Sequence, residues 1–151
     1  MTTLHSGSAS NVGATPAGRV DMPAFLLDTT VLIDALRGRP AADRIRRLRA
    51  AGDVPVVCAI NVEEVWRGLR ADEEAAVQRL VIGLRIVRLG AEEGQRAGAW
   101  RRTYAAQGVT LHQADCLIAA AAVTAHATLA TGNPSDFPMS EINVEHWPVG
   151  E

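Results

Sequence analysis

Residues 24–27 are four apolar residues in a row, stopped by Asp28, the pattern of a short strand buried on both faces of a parallel sheet. Residues 29–36 then read as a helix closed near Gly38, with Pro40 beyond it. A second helix is expected over 43–51, where Ile45 and Leu48 give one apolar stripe among arginines. The run VPVVCA over 54–59 predicts a second strand, and 61–69 the helix after it. Over 73–84, Val77, Leu80, Val81 and Leu84 recur at the spacing of a buried helical face. Residues 85–89 alternate polar with apolar, which reads as a third strand or as continuation of that helix. A longer helix over 91–107 ends at Gly108. Residues 111–125 are so uniformly apolar and alanine-rich that their helix must be central, having almost no polar face for water. A strand over 128–130 runs into Thr131-Gly132-Asn133-Pro134, and 142–145 adds a last edge strand. Short apolar strands alternating with helices give an α/β fold, a three-layer α/β/α sandwich around a mostly parallel central sheet.

No such pattern exists over 1–22, where Ser, Thr, Gly and Ala surround scattered aliphatics. That stretch is expected to be a disordered N-terminal extension, with Met22 as an alternative start, and 23–151 to be one domain. The chain length of 151 residues suits a single core, and its 48% hydrophobic and 21% charged content is that of an ordinary globular protein. All 15 basic residues are arginine. Without a lysine there can be no Walker-type phosphate loop and no Schiff-base chemistry. Cys58 and Cys116 stand 58 positions apart, which indicates neither a zinc site nor a disulfide framework; both read as small core residues of a reducing, cytoplasmic protein. No membrane span or signal-peptide core is apparent in the sequence. Charge is segregated: six arginines and one acid lie over 37–49, against four acids and no arginine over 133–151. The basic segment is either a local anion-binding face or a solvated helix surface.

Four acids sit where folding alone would not put them: Asp28 ends the first strand, Glu64 lies on the helix after the second, Asp115 interrupts the alanine-rich helix, and Asp136 follows the last clear strand. Taken singly, each has a purely structural reading. Asp28 could N-cap a helix, Glu64 could be solvated beside Glu63, Asp115 could be stabilised by a helix dipole, and Asp136 could be a turn residue. Together they map to one rim of the sheet, the carboxyl ends of the strands, where open α/β folds bind ligands. Carboxylates gathered there repel one another unless a cation relieves them. Oxygen-only donors suit Mg²⁺, or Mn²⁺, over zinc, and such an ion can activate water and stabilise charge on a phosphodiester.

The segments LLDTTVLIDALRG (26–38), INVEEVWRGL (60–69), HQADCLIAAAA (112–122) and LATGNPSDF (129–137) resemble, in order and spacing, the four motif blocks of PIN-domain nucleases, most closely the VapC-type toxins of bacterial toxin–antitoxin pairs. The resemblance covers the chain from Pro23 onward. It implies a PIN-like fold and a metal-dependent endoribonuclease acting on structured RNA such as tRNA or rRNA, neutralised by a cognate VapB-like antitoxin, with a homodimer as its assembly. It further implies that Asp28, Glu64, Asp115 and Asp136 are catalytic, with Asp28, Asp115 and Asp136 on Mg²⁺ and Glu63 the fallback for Glu64. Asn133 stands at a family acid position and shares that block with Asp136; Thr30 and Thr131 match small polar positions that orient ligands. Hydrolysis by water would leave a 5′-phosphate and a 3′-hydroxyl. Arg37, Arg39, Arg46 and Arg47 are the expected contacts to RNA or antitoxin, undivided between them. Trp66 and Trp100 read as core or interface residues and His112 as a helix-start residue. A haloacid-dehalogenase-like phosphatase would want an acid at Thr30 and a lysine. The alternative in another class is a non-catalytic PIN-like module that binds RNA or protein, which the neutral Asn133 would suit.

Overall fold

The computed structural model describes residues 23–150. The extension read over 1–22, with its alternative start, lies outside them. Five strands, β1 (Ala24–Leu27), β2 (Val54–Val57), β3 (Arg85–Ile86), β4 (Ala127–Thr131) and β5 (Val144–His146), form one sheet in the order β3-β2-β1-β4-β5. Every pairing is parallel. Among the described residues there are six helices, α1 (Thr29–Leu36), α2 (Pro40–Ala50), α3 (Ala59–Arg67), α4 (Glu74–Ile82), α5 (Ala91–Ala105) and α6 (Gln113–Thr124).

Period-2 alternation along the inner strands sends neighbouring residues to opposite faces. Leu26, Val56 and Leu129 join one core, built with α5 and α6 around Trp100, Cys116 and the alanines 119–122. Leu27, Val57 and Ala130 join the other, where Val31 and Leu32 of α1, Ile45 and Leu48 of α2, and Val77 of α4 pack. Two cores on two faces make the expected three-layer sandwich. Ala119, Ala120, Ala121 and Ala122 have no exposed surface, so α6 is as deeply embedded as its lack of a polar face requires. Among the described residues no helix is long and apolar enough to cross a membrane.

Several boundaries differ from the sequence reading, for local reasons. Helix α2 starts at Pro40 and not at 43, because proline fits the first helical turn and the buried Asp34 carboxylate accepts the Ala41 N–H at 3.1 Å. The second strand stops at Val57, since Cys58 is already the N-cap of α3. The third is two exposed residues at the sheet edge, shorter than 85–89, although Val87 still donates to the Val57 carbonyl at 2.8 Å. The last strand lies two residues later at its start than expected, at Val144–His146.

The strand order fixes where a site can form. Successive connections from β1 lead to β2 and β3 on one side, whereas β4 returns to the other side of β1. The crevice where connections part, at the carboxyl ends of β1 and β4, is the natural ligand position in such a sheet.

Candidate active site

Asp28 follows the last residue of β1, and Thr131 is the last residue of β4. They meet at that crevice: the Thr131 hydroxyl donates to Asp28 Oδ2 at 2.6 Å, and the Asp28 N–H donates to the Ala130 carbonyl at 2.9 Å. Asp28 Oδ1 accepts the Thr29 N–H at 2.8 Å, so the residue also N-caps α1. Its capping role and its place at the rim are therefore one geometry and not alternatives. The Asn133 N–H donates in turn to the Thr131 hydroxyl at 2.9 Å, which polarises the hydroxyl toward the carboxylate.

Glu64 comes from α3 on the other side of β1. Its Oε1 accepts the Thr29 hydroxyl at 2.6 Å, and that hydroxyl accepts from Asn61 Nδ2 at 3.3 Å. Asn61 is fully buried and its Oδ1 accepts the Cys58 N–H at 2.9 Å, tying the chain to the end of β2. Thr29 and Asn61 were not picked out in the sequence. Neither carries charge, and the signal that finds them is the network itself. Thr30, which was picked out, accepts the Gly132 N–H at 3.3 Å and so joins α1 to the loop after β4.

Asp28, Thr29, Thr30, Glu64, Asp115, Asn133 and Asp136 line one cleft of about 540 Å³, with Ile33, Arg67 and Gly68 completing its wall. All four expected acids are brought together, and Glu64 rather than Glu63 faces the cleft. Asp115 enters from the first turn of α6, and Asp136 from a short 3₁₀ turn, Pro134–Asp136. A cleft of comparable size, about 580 Å³, lies beside α5 and the 140–141 turn, but it touches no strand end.

The electrostatics show that the acids feel one another. Burial pushes the Asp28 carboxyl above its ordinary value, Glu64 and Asp136 push it the same way, and the Thr131 and Thr29 hydrogen bonds hold it down. Asp115 is pushed up to about 6, first by burial, then by Asp136 and Asp28, with His112 opposing. Among the described residues, no three acidic, histidine or cysteine side chains meet at metal-ligand spacing. The Asp28 and Glu64 oxygens are instead drawn onto Thr29 and Thr131. The donor set is oxygen only and negatively charged, which fits a hard divalent cation and relief of the repulsion raising Asp115.

The expected arginines scatter. Arg37 pairs with Glu73 at 3.2 Å and Arg46 with Asp43. Arg39 lines a small groove sharing Thr30 and Ile33 with the cleft, and Arg47 a separate pocket with Phe25 and Trp147. Trp100 is core, whereas Trp66 is 38% exposed; His112 is the N-cap residue of α6.

Residues 25–138 match the family model of the PIN domain. The chain belongs to the PIN-domain family. Within that family this PIN domain is similar to VapC ribonucleases. Ribonuclease VapC10 of Mycobacterium tuberculosis is 35% identical to it over 118 residues, 78% of this chain and 88% of that protein. Ribonuclease VapC19 of the same organism is 30% identical over 115 residues, 76% and 92% of the two chains. The structure of VapBC2 from Rickettsia felis, bound to a DNA fragment from its promoter, superposes with a TM-score of 0.74 at 21% identity, covering 82% of this chain and 98% of that chain. At that identity the likeness is one of fold.

Proposed function

We propose that this PIN domain is a Mg²⁺-dependent endoribonuclease toxin that cuts structured RNA, tRNA or rRNA, and is neutralised by a cognate VapB-like antitoxin. The observation that carries the reading is the cleft at the β1–β4 switch point, which gathers four carboxylates from four chain segments, and where burial and then the neighbouring acids push Asp115 up to about 6. Acids packed against their own repulsion are costly to the fold and mark functional sites. The relatives named VapC ribonuclease support the activity class, and a fold neighbour described as a toxin–antitoxin complex from Klebsiella pneumoniae supports the partner.

In this reading Asp28, Asp115 and Asp136 would hold the cation with Glu64 beside them, and Asn133 would offer a neutral oxygen beside Asp136. When bound, Mg²⁺ supplies activation of water and charge neutralisation on a phosphodiester. The residues of the chain do the rest. Thr131, fixed by the Asn133 N–H, sets the orientation of Asp28; Asn61, through Thr29, sets that of Glu64. One of the cleft carboxylates would take the proton of the attacking water. Attack by water leaves a 5′-phosphate and a 3′-hydroxyl.

The toxin reading is tested by inducing the chain in a bacterial host. Growth arrest is expected from the native sequence, relief on co-expression of a cognate VapB-like antitoxin, and no arrest from Asp115→Asn. Arrest that persists undiminished in Asp115→Asn contradicts it.

A further inference from the structure

The acid rim creates a difficulty for a polyanionic substrate, because four carboxylates repel the phosphates that must approach them. Several arginines of the 37–49 segment that could compensate are engaged elsewhere. Arg37 is tied to Glu73, Arg44 donates to the Pro148 carbonyl at 3.0 Å and lies over the Trp147 ring, and Arg49 donates to the Gly83 carbonyl at 2.8 Å. Arg67 is different. Among the described residues it is the one cation lining the cleft. It follows Glu64 by three positions at the end of α3, so the two share a helix face.

Arg67 is loosely held. Its Nε lies 3.9 Å from Glu63 Oε2, at the limit of an ion pair, and both side chains are about two-thirds exposed, 68% and 66%. A pair of that length between solvated groups is weak and easily exchanged for a better anion. Nor is the guanidinium spent on the acid rim: the largest charges acting on Asp28 and Asp115 are other carboxylates and His112.

We propose that Arg67 is the phosphate-binding residue of the cleft, holding a backbone phosphate of the RNA beside the acids through its planar, bidentate fork. The proposal rests on the ribonuclease reading above. Gly68, next in the chain and also in the cleft wall, leaves the approach to that fork without a side chain. The guanidinium offsets the repulsion of the rim at the point where the substrate strand must pass closest.

The test is binding of a fluorescent single-stranded RNA by the Asp28→Asn protein, which blocks cutting, measured against salt in the presence of Mg²⁺. Adding Arg67→Ala is expected to weaken binding about tenfold, the loss of one charged hydrogen-bonding contact. It should also reduce the slope of log affinity against log salt by about 0.7, one phosphate contact on a single strand. Arg67→Lys should restore the slope and only part of the affinity, and Glu63→Gln, which frees Arg67 but keeps its charge, should bind at least as well as the parent. Unchanged affinity and slope in Arg67→Ala overturn the proposal while leaving the ribonuclease reading intact. So does a Glu63→Gln protein that reproduces the loss, since the ion pair and not the cation would then matter. If the native chain neither cuts nor binds RNA, the ribonuclease reading fails and this proposal with it.

Discussion

Asp115 is half-exposed in the first turn of a helix, a place that ordinarily favours a negative charge, and its carboxyl is nevertheless pushed up to about 6. Between its ordinary value of 3.8 and about 6, the folded chain keeps a proton that the unfolded chain has released. Stability therefore falls as pH rises through that window, and the loss persists above it. Asp115→Asn, which keeps the shape and removes the charge, should raise the melting temperature of the metal-free protein at pH 7.5 and leave it nearly unchanged at about pH 3, below the ordinary value. After allowance for the screening of a half-exposed group, the gain is of order 1 kcal/mol. Equal shifts at both pH values, read from melting curves, would show that charge is not the cause. Asp28 and Asp115 are legible in the sequence because a charge inside an apolar run is conspicuous. Thr29 and Asn61 are not, although their hydrogen bonds set Glu64, because a neutral polar residue at a helix start looks the same whether it serves a site or a turn. Arg67 is inconspicuous for a similar reason: it lies outside the dense arginine segment over 37–49.

Helix boundaries show where local pattern gives way to distant contacts. Asp34 reads as an ordinary polar position of α1, but it is buried, with 3% of its surface exposed. Its Oδ2 accepts the Ala41 N–H that opens α2, and its Oδ1 accepts the Gly150 N–H at 2.9 Å. Nothing near residue 34 announces a partner 116 positions away. Asp34→Ala strands a buried donor at the start of α2 and should destabilise the protein by about 2 kcal/mol in urea denaturation, with faster proteolysis of the C-terminal segment. An unchanged midpoint would mean that the clamp contributes nothing. The alanine run of α6 was legible, since only a helix enclosed on all sides can lack a polar face. Its small side chains admit no extra volume: Ala120→Leu should cost about 1–3 kcal/mol through overpacking, measured the same way. β3 was overread because five alternating residues satisfy the pattern of a strand, whereas at an exposed edge only two of them pair as strand residues.

At the scale of the whole molecule, the βα alternation in the sequence was enough to predict a parallel sheet covered on both faces. It could not supply the strand order, because β1 and β4 pair across about a hundred residues through contacts that leave no local trace. That order is what turns four separated acids into one cleft, by placing the switch point between the strands that carry Asp28 and Thr131. In the proposed function this cleft cuts RNA with a divalent cation held by those acids. Sequencing the ends of a structured RNA incubated with purified protein, with Mg²⁺ or with EDTA, tests it most directly. Mg²⁺-dependent cuts bearing 5′-phosphate and 3′-hydroxyl ends are expected, reduced roughly a hundredfold or more by Asp28→Asn. Cutting that survives EDTA or Asp28→Asn, or that leaves 2′,3′-cyclic phosphates, would contradict it.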